Sequence, residues 1–298
     1  LWPQPPGISL QSIYKETPMA VKEVIAAQVA RWTIELFNLR FDSIGSLREV
    51  GGGAGFEVGP ISTDIFNVDG RAKLAMLDRG PWKTVKEYFL ACAQRELDCL
   101  RVLFTQDASE QYKKILEENQ VRVERSMSLL IDIVNKCQGL DGDDPEFAPF
   151  ALDTQAFEPE SIYVSPGDPS KILCVTNWKN TTARPLWHCA RLPRWIGDSM
   201  YQSEDTTERA RLAKIFRRIA GSLSPRFVSG LESDHVRQAL EDVCQYDASK
   251  DGFFVLPTLE SIAATLPGDQ DFEGLKRLLD PKTDVGRVAR ISLLTQGS

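Results

Sequence analysis

Histidine is scarce in this chain: two among 298 residues, His188 and His235. The six cysteines (Cys92, Cys99, Cys137, Cys174, Cys189 and Cys244) are scattered, with no Cys-x-x-Cys among them. Both facts speak against a zinc site, which draws its ligands from tight His/Cys clusters. Buried free thiols in a reducing compartment are the plain reading. A basic surplus is missing as well. The formal net charge is −7, so no patch is expected to grip a nucleic-acid backbone. No apolar run reaches the length of a membrane span, and the chain does not open on a charged-then-apolar leader. The expectation is a cytoplasmic protein with no nucleic-acid and no membrane partner.

What is present reads as a mainly helical α+β protein. Apolar residues make up 42% and charged residues 26% of the chain, ordinary proportions for a globular protein, with length enough for one large core or two smaller ones. Residues 1–18 carry Pro3, Pro5, Pro6 and Pro18 and read as an extended lead-in. Pro18 opens a helix whose apolar positions Val21, Val24, Ile25, Val29, Trp32 and Leu36 fall near helical spacing. Further helices are predicted from Val85 to about Phe104, over 109–138, from Thr206 or Thr207 to Ala220, and over Asp234–Gln245. Two short ones follow at Leu259–Leu266 and Phe272–Leu279, stopped by Pro267 and Pro281.

Several loops invite a chemical reading and fail it. Gly51-Gly52-Gly53-Ala54-Gly55 lacks the Gly-Lys-Ser/Thr of a phosphate loop, no strand is expected before it, and it reads as a surface connection. Asp247–Phe254 echoes a calcium loop, with acids at the first and fifth positions and Gly252 at the sixth. The twelfth position is Thr258, where the closing carboxylate should stand, so a turn between helices is expected. Asp141–Pro145 is an acidic loop with nothing to make it a site. Asn180-Thr181-Thr182 matches the glycosylation sequon, a match too short to carry weight.

The richest stretch is 150–196. It reads as a loop, a strand over Ser161–Val164, a turn over Ser165–Ser170, a second strand over Lys171–Trp178, and then a helix. Leu152, Ile162, Val164 and Trp178, followed by Arg184-Pro185-Leu186-Trp187-His188-Cys189-Ala190-Arg191-Leu192-Pro193, resemble the catalytic core of the kinase-like phosphotransferases. These are the aminoglycoside phosphotransferase and choline kinase group, and the likeness is to its fungal branch. Phe41–Leu47, Phe56–Pro60 and Asp78–Trp82 add further family-like segments, and the resemblance covers roughly residues 20–200. It implies a protein-kinase-like C-terminal helical lobe, residues 19–298, with a small two-stranded β ribbon at the old active site. The smaller N-terminal lobe has no room before Pro18 and is expected to be absent or reduced.

The same resemblance implies that the chemistry is gone. Gln155 stands where the family has histidine, and Ala156 where it has the aspartate that orients the acceptor hydroxyl. Ser161 replaces the metal-binding asparagine, and Asn177 the aspartate that holds magnesium. Phosphoryl transfer needs metal ions and a positioning carboxylate, and neutral side chains are weak ligands for a hard dication. No metal, no cofactor and no ATP-dependent kinase activity are therefore expected.

Two functions remain. In one, the lobe is a pocket for a small, apolar molecule, lined by Phe157, Tyr163, Trp178, Trp187 and Trp195. It would serve non-phosphotransfer chemistry in fungal metabolism, such as cyclisation, isomerisation or dehydration. Asp153, Glu158, Lys179 and His188 are the nearest groups able to move protons. Each has a plainer reading: Asp153 as a turn cap, Glu158 and Lys179 as solvated groups, His188 as part of a structural motif. In the other, the lobe is a pseudokinase-like interaction module that meets a protein partner, or itself, on the surface left by the missing lobe.

Overall fold

A computed structural model describes residues 4–53, 55–103, 110–136, 140, 150–153, 157–197, 206–233 and 235–265. In chain order its elements are strand β1 (Ile8–Ser9), helices α1 (Leu10–Ile13) and α2 (Met19–Phe37), and strands β2 (Gly45–Val50) and β3 (Gly55–Gly59). Helices α3 (Val85–Leu103) and α4 (Glu110–Lys136) follow, then strands β4 (Ala151–Asp153), β5 (Ile162–Val164), β6 (Ile172–Val175) and β7 (Thr182–Arg184). The last are helices α5 (Leu186–Cys189), α6 (Thr206–Leu223), α7 (Pro225–Ser233), α8 (His235–Gln245) and α9 (Ala248–Thr265). The protein is mainly helical with small antiparallel sheets, as its apolar periodicity predicts. Among the described residues no helix is long and apolar enough to cross a membrane.

The chain divides into two compact units, Leu1–Phe41 with Pro149–Leu231, and Asp42–Ala148 with Glu232–Ser298. In the first, the Pro18 carbonyl accepts the opening hydrogen bonds of α2 from the Val21 and Lys22 amides, because proline at this point loses nothing by lacking an N–H. Ile25, Ala26, Val29, Ala30, Ile34 and Phe37 form the buried stripe of α2. α2 packs along α6, and Phe37 meets Phe227 edge-to-face with ring centroids 5.1 Å apart. Phe41 pairs with Phe150, and β4 pairs antiparallel with β7.

The ribbon differs from expectation in two ways. β5 and β6 do pair antiparallel, with a bulge between Tyr163 and Val164. But β1 joins on the far side of β5, so the sheet has three strands in the order β1-β5-β6. The predicted lead-in is therefore partly structured: β1 runs straight into α1, and the Gln11 amide donates to the Pro159 carbonyl at 3.0 Å. Gly7 makes this possible. Its φ is +89°, and a Cβ there would lie 2.3 Å from the Val164 carbonyl oxygen. The second strand also ends early, at Val175. Asn177 has φ +61°, a left-handed conformation that asparagine tolerates and a strand cannot continue through.

In the second unit the glycine cluster is a hairpin turn. Contrary to expectation a strand does precede it: β2 pairs antiparallel with β3 across it. Gly51, Gly52, Gly53 and Gly55 all have positive φ, which is what such a turn asks of its residues. A strand–turn–strand is not the strand–loop–helix of a phosphate loop. α3 packs on α4 and α4 on α9. The expected turn at Asp247–Phe254 is instead the start of α9. The Asp247 carbonyl accepts from the Lys250 and Asp251 amides, and the Asp251 carboxylate takes the Asp247 amide at 3.1 Å. Pro257 sits inside that helix, and Leu259 onward is its last part rather than a separate one. The predicted helix at Phe272–Leu279 and the Asp141–Pro145 loop lie outside the described residues.

Candidate functional site

Two adjoining depressions in the first unit contain Asp153, Glu158, Asn177, Phe157 and Trp178, five of the residues that the sequence singles out. The first is a cleft of about 250 Å³ lined by α2 (Thr33, Leu36), the end of β4 (Leu152, Asp153), the Phe157–Glu160 loop, Asn177, Asn180, and the stretch from Cys189 to Arg194. The second is an open apolar groove of about 380 Å³ between α2 (Trp32, Glu35, Leu36) and β6 (Ile172–Val175), with Trp178 also on its lining. Leu36 and Phe157 line both. Phe157 stacks on Trp32 at 6.3 Å and meets Trp178 edge-on at 6.1 Å, a preferred aromatic geometry.

Asp153 ends β4 and is buried. One Arg191 nitrogen donates to both its oxygens, at 2.8 and 2.7 Å, and His188 Nε2 lies 3.2 Å from Oδ2. Burial pushes this carboxyl up, but the Arg191 charge, the His188 contact and the Arg184 charge outweigh it and hold it well below the usual carboxylate range. A carboxylate so fully committed is a poor proton acceptor. His188 lines neither depression. It lies within Thr182–Ala190, buried throughout, and its Nδ1 has no hydrogen-bond partner among the described residues. Lys179 is exposed and outside both.

Glu158 is different. It lines the cleft, half-buried, and accepts from the Arg194 amide at 3.0 Å. Burial first, and then the Glu160 charge, push its carboxyl up, against the backbone N–H groups of Arg194 and Trp195. It can therefore hold a proton closer to neutrality than an exposed glutamate does. Of the four proton-moving candidates, the structure brings Asp153 and Glu158 to the cleft and leaves His188 and Lys179 out of it.

The aromatic set splits as well. Phe157 and Trp178 line the groove, Trp178 at 44% exposure. Tyr163 is a ribbon residue paired with Ser9 and Cys174. Trp187 is packed in the core. Trp195 is buried under the cleft loop, where its indole N–H donates to the Phe157 carbonyl at 2.8 Å and its ring meets Tyr14. These three are structural supports and corrections to the predicted lining. Sequence reasoning missed Trp32 as a groove wall and Arg191 as the partner of Asp153. Trp32 does sit on the helical apolar stripe, but nothing in the stripe says which loop it meets.

A magnesium–nucleotide complex of the kind phosphoryl transfer needs does not fit the described residues here. Ser161 is 1% exposed and its hydroxyl has no partner among the described residues, so it faces the interior. Asn177 reaches the cleft, but as a neutral amide. Among the described residues no group of three or more His, Cys, Asp or Glu side chains is placed to hold a metal. Gln155 and Ala156 lie outside the described residues. Compared with protein-family models, curated proteins and solved structures, the chain matches none of them.

Proposed function

We propose that the unit formed by residues 1–41 and 149–231 is a ligand-binding lobe of phosphotransferase type that transfers no phosphate, and that its cleft holds a small molecule on which Glu158 moves a proton. The reading rests on one contrast. Of the three carboxylates that line the cleft, Glu160 is exposed and Asp153 is locked by Arg191 and His188, whereas Glu158 is half-buried with its proton affinity raised. A group of that kind suits isomerisation, cyclisation or dehydration, in which a proton is taken from one atom and returned to another. The ligand is amphipathic: its apolar part lies against Phe157 and Leu36, and its polar part meets Glu158, Asn177 and Asn180. This amends the wholly apolar ligand that the sequence suggests.

The test is a thermal-shift screen of small amphipathic molecules and of Mg·ATP, followed by turnover assays on each hit. Glu158→Gln should keep the binding shift and lose turnover by about 100-fold or more. A clear shift with Mg·ATP, or turnover that survives Glu158→Gln, would remove the proposal. A second reading, the interaction module, is favoured by the openness of the apolar groove, whose Trp178 and Leu173 face solvent.

A further inference from the structure

β6 is an edge strand, and its outer edge carries backbone groups that no strand among the described residues takes up. The directions follow from the ladder. The Thr176 amide donates to the carbonyl of Ser161, the residue before β5, so residue 176 points inward, and with alternation so does Cys174, opposite Tyr163. In trans peptides the Leu173 carbonyl and the Val175 amide then point outward, into the groove. The Val175 carbonyl also points outward, but the Trp178 indole N–H already occupies it at 3.0 Å. α2 forms the facing wall, held alongside at one end by Gln28, whose amide donates to the Ser170 carbonyl at 2.8 Å.

We infer that the groove between α2 and β6 binds an extended peptide segment of a partner protein, added to the sheet as a parallel strand beside Cys174. This goes beyond the small-molecule reading and does not depend on it. The match of lengths is one reason. Four residues of β6 span about 13 Å, and Gln28 to Glu35 on α2 spans about 10 Å, room for about four extended residues. The hydrogen-bond pattern is the second reason. In a parallel ladder one residue donates to the carbonyl before its neighbour and accepts from the amide after it, and the Leu173 carbonyl and the Val175 amide stand on either side of Cys174 on that edge.

The pattern also argues against a second copy of this chain. Two β6 edges meeting on a two-fold axis must run antiparallel, and their full ladder would have to share the Val175 carbonyl with the Trp178 indole, which a parallel peptide beside Cys174 need not do. Side chains complete the description of the occupant. An apolar residue of the peptide faces Trp32, Phe157 and Trp178, and a lysine or arginine faces Glu35, the charged wall residue of the groove.

The test pans the full chain against a phage-displayed library of random heptapeptides and measures the enriched sequences as synthetic peptides by tryptophan fluorescence. Enriched peptides should be apolar with a basic residue. Val175→Pro removes an amide that has no partner in the ladder, a substitution edge strands accept, and should weaken binding about tenfold. As a readout that does not depend on the folding of that variant, each peptide is also made with single N-methylated amides. One N-methyl position should cost about tenfold on the unaltered protein, as loss of a main-chain hydrogen bond predicts. The inference is overturned if no peptide is enriched, if affinity survives both the proline and every N-methyl group, or if sedimentation shows a dimer that Val175→Pro dissociates. Glu158→Gln should leave peptide affinity unchanged, so failure here and failure of the proton-transfer reading are separable.

Discussion

In the first unit the buried carboxylate is Asp153, and its main partner, Arg191, has a side chain that is 39% exposed and lines a cleft. In the second unit Glu96 is one of three buried carboxylates, with Glu241 and Asp247, and both its arginines are sealed at 1% exposure. Arg95 Nε donates to Glu96 at 2.7 Å and Arg95 Nη2 to the Cys244 carbonyl at 2.9 Å. Arg71 reaches Glu96 at 3.3 Å and Asp247 at 3.1 Å, and the Ala248 amide at the start of α9 donates to Glu96 at 2.9 Å. Asp69 and Lys250, both largely exposed, join the outer side of this cluster through Arg71 and Asp247, at 3.8 and 3.4 Å. Its sealed part, Arg71, Arg95 and Glu96, ties α3 to the start of α9 and lines neither of the two depressions. The vented one shares its wall with a cleft. Burial of charge alone does not mark a functional site; burial beside an opening is the better sign.

The contrast predicts unequal costs. Glu96→Ala takes the shared carboxylate from two sealed arginines, leaving Arg95 only the Cys244 carbonyl and Arg71 its Asp247 contact, and should lower stability by about 3–5 kcal/mol in urea unfolding. Asp153→Ala frees an arginine that can turn to solvent, and should cost about 2 kcal/mol. Equal losses would end the distinction between sealed and vented. Acid tests the vented site by itself. The Asp153 carboxyl lies below its unfolded value, so its contribution is complete above about pH 4 and is lost as the pH falls through its lower folded value. Asp153→Asn should remove that part of the acid limb. The readout is the urea midpoint between pH 5 and pH 2, with unchanged curves counting against the assignment.

Helices were the readable part of this sequence. The stripes of α2 and α3 follow a 3.6-residue period, and the predicted ends at Phe104 and Gln245 lie within one residue of the ends of α3 and α8. The start of α9 was not readable, because the Arg71 contact with Asp247 and the Glu96 contact with the Ala248 amide come from segments about 150 residues or more away in sequence. Arg95 and Glu96 were invisible for a related reason: charged residues on an amphipathic helix are read as its wet face, and only a tertiary partner can say otherwise. At the site, the sequence reached Asp153, Glu158, Phe157 and Trp178. It could not tell that Ser161 is sealed inside, or that Asn177 bends the chain out of its strand. Both positions read as lost metal ligands, and each has a local structural role as well.

The smallest expected effect falls on Glu158, and its sign is the reverse of that for Asp153. Its folded carboxyl is raised by burial and by Glu160, so the folded state holds the proton more tightly than the unfolded chain. Stability from this group is present below the unfolded pKa, about 4.3, and is lost as the pH rises through the higher folded value. Glu158→Gln keeps an oxygen for the Arg194 amide and removes the charge. At neutral pH the variant should therefore be slightly more stable than the parent, by about 0.5 kcal/mol once solvent screening is allowed for, and the gain should vanish below about pH 4. A stabilising change that abolishes turnover is what a strained catalytic carboxylate gives. If Glu158→Gln instead destabilises the fold at neutral pH, the glutamate is a structural anchor for the Arg194 turn, and the cleft loses the one group that sets it apart from the sealed cluster.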